Sequence, residues 1–222
     1  MTYETMAQFK QNITNLYSKE RLQGYESIAQ HDENLNFIGI ISPKIAKIEI
    51  ALRNMLDFAL GGASTAWLLA SNDEYLQDKI AEIQKKNADK VPLSHHQVLS
   101  RLTLGAVVRL IKENKLQNAL FDASSLNLKA YSPHNKDFFR RKGKKYPLSN
   151  ISKTDSILSL LLNIRNRAFH WENLLKIVEI DGNKVSRLYT SVQGVIISIN
   201  PSKIELFLDG LLGQINEKFL EK

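Results

Sequence analysis

From Leu158 to Glu172 the chain reads Leu-Ser-Leu-Leu-Leu-Asn-Ile-Arg-Asn-Arg-Ala-Phe-His-Trp-Glu, a largely apolar stretch that turns abruptly to Arg165, Asn166, Arg167 and His170. Residues this apolar, at this spacing, specify a helix that the rest of the chain must cover, with Ser149 or Ser152 as its cap. Its last two turns carry charge that a purely structural helix does not need. Arg165 and His170 are five residues apart, about 140° around an ideal helix, so they do not project from one face. Asn166 and His170, four apart, share a face, as do Arg165 and Glu172, seven apart. A histidine exchanges a proton near neutral pH, and an arginine grips a phosphate or carboxylate with two parallel hydrogen bonds. Together they could bind and cleave a phosphodiester, provided another helix or a second subunit completes the site.

Ten Gly and five Pro in 222 residues, with apolar residues recurring at three and four positions, predict a mainly helical architecture in one domain. The 30 Lys and Arg against 23 Asp and Glu leave a net charge of +7, which favours a polyanionic partner. Without cysteine, disulfides, zinc-thiolate sites and thiol nucleophiles are excluded, and the composition fits a reducing cytoplasm. No stretch approaches the roughly 18 apolar residues of a membrane span, and Met1 to Thr5 lacks the basic and apolar regions of a signal peptide. The expectation is a cytoplasmic protein with no membrane contact.

Met6, Phe9, Ile13, Leu16, Tyr17 and Ile28 predict one or two amphipathic helices in an N-terminal extension over about 1–33, closed by a polar break at His31 to Asn34. Ser42 then caps a helix with Pro43 in its first turn, a stripe of Ile45, Ile48, Leu52, Met55 and Ala59, and a stop at Gly61-Gly62. Off that stripe lie Glu49 and Arg53, either an exposed ion pair or, with Asn54, groups facing the end of the Arg165 helix. Further helices are expected over Asp73 to Lys85, with Lys85 to Lys90 a solvated terminus, and from Ser94 through Lys112, with Leu104, Val107, Val108 and Ile111 in the core. His95-His96 invites a metal reading, but adjacent helical histidines diverge by about 100° and no carboxylate set stands at ligand spacing, so no metal is assigned.

Residues 118–150 break the helical pattern. Arg140, Arg141, Lys142, Lys144 and Lys145, flanked by Phe138, Phe139 and Tyr146, are either a solvated loop or a surface that pairs with phosphates and stacks on unpaired bases. Lys176 to Val185 could form one small hairpin around Asp181-Gly182. Val185, Leu188, Val192, Val195, Ile196 and Ile199 recur with helical period, and Asn200-Pro201-Ser202 starts a last helix with Ile204, Leu206, Phe207, Leu211, Ile215 and Phe219 on or near its buried side, so 176–222 should pack as C-terminal helices.

Arg165-Asn166-Arg167-Ala168-Phe169-His170 resembles the Arg-Asn-x(3 to 5)-His signature of HEPN domains. The context is similar to the Abi-like (abortive infection) branch, whose earlier helices Glu49 to Asn54 and Leu102 to Leu110 resemble in order, the likeness spanning roughly 20–175. Trp171 stands where that branch often has a second His, and Asn173 where a Pro often follows Glu172. The resemblance implies an all-α, HEPN-like helical bundle with additional helices and room for one small hairpin. It implies metal-independent RNA cleavage without cofactor, with His170 moving a proton between the 2′-OH and the leaving 5′ oxygen, Arg165 stabilising charge on the phosphate, and Asn166 orienting either. Glu49, Arg53 and Asn54 would support the site, Arg167 and the Arg140 to Lys145 cluster would bind RNA, and a homodimer would supply two histidines. A protein or RNA antitoxin is a further implied partner. The alternatives are a non-catalytic HEPN module that binds RNA or nucleotide or only dimerises, and a basic DNA-binding protein.

Overall fold

The spine of the molecule is a 34-residue helix rather than the shorter one expected to begin at Ser42. In the computed structural model, which describes residues 1–61, 66–87, 91–124, 126–180 and 182–220, three short helices, α1 (Tyr3–Gln11), α2 (Ile13–Tyr17) and α3 (Lys19–Leu22), lead into α4 (Ile28–Gly61). Ile38, Ile41, Ile45, Ile48, Leu52 and Leu56 form one buried stripe that passes straight across Pro43. An interior proline costs about 3 kcal/mol, and each such buried side chain returns about 1.5–3, so the stripe wins. The Ser42 hydroxyl, expected as a cap, instead donates to the Ile38 carbonyl at 2.6 Å. The polar break at His31 to Asn34 is likewise helical, because His31 and Asn34 are buried and find partners outside the helix. Of the expected stripe, Met55 is half-buried and Ala59 exposed, with Leu56 taking the inward position. Gly61 ends α4 as expected; Gly62 lies outside the described residues, as do 88–90 of the Lys85 to Lys90 terminus.

The helix expected over Asp73 to Lys85 is α5 (Glu74–Lys85), capped by Asp73. Ser94 opens α6 (His95–Arg101) with a full capping box. The chain does not continue helically to Lys112: Leu102 is extended and Thr103 caps a separate α7 (Leu104–Glu113). A short α8 (Gln117–Leu120) leads towards the long α9 (Asn150–Phe169), whose Ser149 cap accepts from the Ser152 amide. Ile157, Leu158, Leu160, Leu161, Ile164 and Ala168 of α9 are buried against α4, α7 and α8, and the last helix, α10 (Ile204–Ile215), closes over α4. Lys44 on α4 bridges Glu205 and Asp209 of α10 at 2.8 and 2.6 Å.

The all-α expectation is overturned by three antiparallel hairpins, which make the fold a helix-dominated mixture of α and β. β1 (Phe138–Arg141) pairs with β2 (Lys144–Pro147), β3 (Ile177–Ile180) with β4 (Asn183–Ser186), and β5 (Tyr189–Val192) with β6 (Val195–Ser198). The β3–β4 hairpin occupies the segment where one was expected, with Asp181 itself outside the described residues. The other two replace an expected loop and an expected helix. Lys142-Gly143 and Gln193-Gly194 have positive φ at both central residues, the turn whose twist matches paired strands. The β-branched residues from Val192 to Ile199 therefore satisfy a strand pattern, and Asn135 locks it by exchanging hydrogen bonds of 2.8 Å with the Ser198 amide and carbonyl.

Candidate active site

The end of α9 is closed by two hydrogen bonds, Glu172 N–H to the Arg167 carbonyl at 2.8 Å and Trp171 N–H to the Ala168 carbonyl at 3.0 Å. This is the Schellman arrangement, which calls for a left-handed residue just past the cap, usually glycine. Here that residue is Trp171, at φ 57°. A non-glycine side chain there costs about 1–2 kcal/mol and persists only when the surroundings over-determine it. They do. The Trp171 carbonyl accepts from Arg21 Nη2 at 2.6 Å and from the Tyr25 hydroxyl at 3.5 Å. Asn34, wholly buried on α4, donates to the Glu172 carbonyl at 3.1 Å and accepts from the Leu174 amide at 2.9 Å. Asn173 donates to the Gly24 carbonyl at 2.7 Å. Burial, and secondarily Glu172 against the opposing pull of Arg21, raises the Tyr25 pKa, so its phenol remains a donor.

Arg165 leaves this helix end on the α4 side. Its Nε lies 3.3 Å from Glu49 Oε2, while Arg53 Nη2 lies 3.1 Å from Glu49 Oε1 and 3.1 Å from the Leu102 carbonyl. Glu49 thus holds two guanidinium groups, and Arg165 stays 28% exposed above the Phe169 ring, 5.3 Å from its centroid. Asn166 is exposed and its Oδ1 accepts from Arg165 Nη1 at 3.4 Å. Asn54, on the same helix as Glu49, is exposed.

His170, the cap residue of α9, is exposed on the other side. It lines a cleft of about 370 Å³ with Glu20, Arg21, Tyr25, Glu172, Lys176 and Arg187, and Arg165 is not among the lining residues. At the same helix end, Arg165 turns to Glu49 on α4 while His170 lines the cleft with Arg21 and Glu172, so within one chain the two groups have different neighbours. The shared face assigned to Arg165 and Glu172 fails, because Glu172 lies past the left-handed residue, where helical periodicity stops. Glu172 instead pairs with Arg167 at 2.5 Å and Arg187 at 3.2 Å. Arg167, expected on RNA, is 22% exposed and commits its Nη1 to Glu172.

Arg140, Arg141, Lys142, Lys144 and Lys145 are all exposed on the β1–β2 hairpin, with Lys145 Nζ 4.8 Å from the Phe138 ring centroid and Phe139 stacked on Tyr146. Between this hairpin and the β5–β6 turn runs a groove of about 760 Å³ lined by His134, Lys136, Phe138, Phe139, Arg140 and Gln193, among others. It shares no lining residue with the His170 cleft. Arg21, Lys176 and Arg187 were not legible as site residues, since each reaches the cleft from a different element and carries no local motif. Comparison with protein-family models, with characterised proteins and with solved structures finds no match.

Proposed function

We propose that the chain is a metal-independent endoribonuclease of the HEPN type, of the Abi-like branch, acting in abortive-infection defence or as a toxin. The observation that carries this reading is the pairing of an exposed His170, in a cleft lined by Arg21, Lys176 and Arg187 beside Glu20 and Glu172, with a partly exposed, Glu49-braced Arg165 at the same helix end. His170 takes the proton from a ribose 2′-OH, the freed oxygen attacks the adjacent phosphorus, and the 5′ oxygen leaves with a proton from a second histidine. Arg165 stabilises the charge that builds on the phosphorus-bound oxygens, with Asn166 fixing its guanidinium. A twofold dimer supplies the second histidine and sets one chain's Arg165 against the other's His170. Lys176, exposed in the cleft, holds a phosphate beside the cut, while Arg21 and Arg187, paired to the Trp171 carbonyl and to Glu172, add positive charge to the same cleft. DNA, lacking the 2′-OH, is inert.

The alternative is a non-catalytic HEPN module, favoured by the separation of Arg165 and His170 within one chain. Incubation of purified protein with mixed RNAs in EDTA separates the two. Cleavage leaving 2′,3′-cyclic phosphate ends, lost in His170→Ala and Arg165→Ala with the fold intact, is expected. RNA left whole by the wild-type dimer, or cutting that survives His170→Ala, sinks the nuclease reading. Duplex DNA affinity that depends on the Arg140 to Lys145 cluster, without RNA binding, would favour a DNA-binding protein.

A further inference from the structure

The carboxylate missing from the neighbourhood of His95-His96 in sequence arrives through the fold. Asp57, near the end of α4, meets the first turn of α6, where its Oδ1 lies 2.7 Å from His95 Nε2 and 2.8 Å from Trp67 Nε1. One ligand atom from each of Asp57, His95 and His96 lies within 4.8 Å of the others, and the two imidazole rings meet edge to face with centroids 5.2 Å apart. The divergence of adjacent helical side chains does not prevent this, because the carboxylate comes from another helix and all three ligand atoms still fall within 4.8 Å. His95 is 7% exposed, and its Nδ1 is buried without a hydrogen-bond partner among the described residues.

We infer that Asp57, His95 and His96 form a binding site for a borderline divalent transition metal, zinc foremost, with a fourth position open to water beside the exposed His96. Two imidazoles and one carboxylate are zinc donors, and at metal–ligand bonds of about 2.0–2.1 Å tetrahedral ligand atoms stand about 3.3 Å apart. To reach that value the 2.7 Å Asp57–His95 contact opens slightly and the wider separations, up to 4.8 Å, close as the exposed His96 ring swings in. Calcium and magnesium are disfavoured, because both require more oxygen ligands than one carboxylate offers. Trp67, donating to Asp57, acts as the outer partner that fixes the carboxylate's rotation.

The ion would clamp the start of α6 to α4. The other end of α6 presents the Leu102 carbonyl to Arg53, the partner of Glu49, so the clamp stiffens the strut behind Arg165. The inference does not depend on the ribonuclease reading. Its test is direct: tag-free full chain, stripped by chelation, is titrated with Zn²⁺ by calorimetry and with Co²⁺ by absorption. One ion per chain, visible bands of tetrahedral Co²⁺ and a higher melting temperature on zinc saturation are expected. His96→Ala and Asp57→Asn each weaken zinc binding at least about tenfold, and Trp67→Phe by about tenfold. His96 is exposed, so His96→Ala keeps its far-ultraviolet circular dichroism and remains informative if Asp57→Asn unfolds. Unsaturable or substoichiometric uptake, or wild-type zinc affinity in folded His96→Ala, overturns the site.

Discussion

Glu49 is the joint on which the position of Arg165 rests, and a double-mutant cycle with Glu49→Gln and Arg165→Gln measures it. The pair spans 3.3 Å with side chains 16% and 28% exposed. Exposed pairs are worth about 0.2–1 kcal/mol, and truncating one partner of a buried pair costs about 3–5. A half-sheltered pair longer than an ideal charge-assisted bond belongs between them, near 1–2 kcal/mol of coupling. Glu49→Gln also weakens the bond to Arg53, which keeps the Leu102 carbonyl, so its total loss should reach about 2–3 kcal/mol. At about 2–4 °C per kcal/mol for a chain of this length, that lowers the melting temperature by roughly 4–12 °C. Urea unfolding of the four proteins gives the cycle. Losses that add to within about 0.3 kcal/mol would show that Glu49 does not hold Arg165, and the bracing argument would fall.

Asn34→Ala removes three hydrogen bonds from a fully buried site and should cost about 3 kcal/mol by urea unfolding, with faster amide exchange in 171–175; a loss below about 1 kcal/mol would mean the loop is held by other contacts. Changing Arg140, Arg141, Lys142, Lys144 and Lys145 to Gln should weaken single-stranded RNA binding and make the slope of log affinity against log salt shallower by up to about 3.5, at about 0.7 per phosphate contact; an unchanged slope would remove the hairpin from the RNA surface. Asp57 has a folded pKa below the ordinary carboxyl value of 3.8, so its contribution to stability is full above 3.8 and is lost as pH falls through the depressed value. Asp57→Asn should therefore flatten the acid limb of a plot of urea midpoint against pH, and an identical limb in the variant would refute that assignment.

The helical core was readable because its stripes repeat locally. Leu104, Val107, Val108 and Ile111, or Ile45, Ile48 and Leu52, face inward wherever a 3.6-residue period is maintained. The start of α4 was not readable, since Pro43 and the His31 to Asn34 run are breakers by local propensity and are overruled by the buried stripe and by partners on other elements, from Arg21 and Tyr25 to Glu172. Val192 to Ile199 fits either period, and the choice of strand rests on Gln193-Gly194 adopting left-handed conformations and on Asn135 clamping Ser198.

At the site, the sequence by itself determined the chemistry on offer: an imidazole and a guanidinium about 140° apart at the end of an apolar helix, and a run of five cations between aromatic residues. Only the tertiary structure decided what surrounds them. Glu49 reaches Arg165 across 116 residues, Arg21 reaches the Trp171 carbonyl across 150, and Asp57 reaches His95 across 38. A helix fixes directions within a few turns, but a hydrogen-bond partner on another element is chosen by how the stripes pack, and no local pattern encodes that choice.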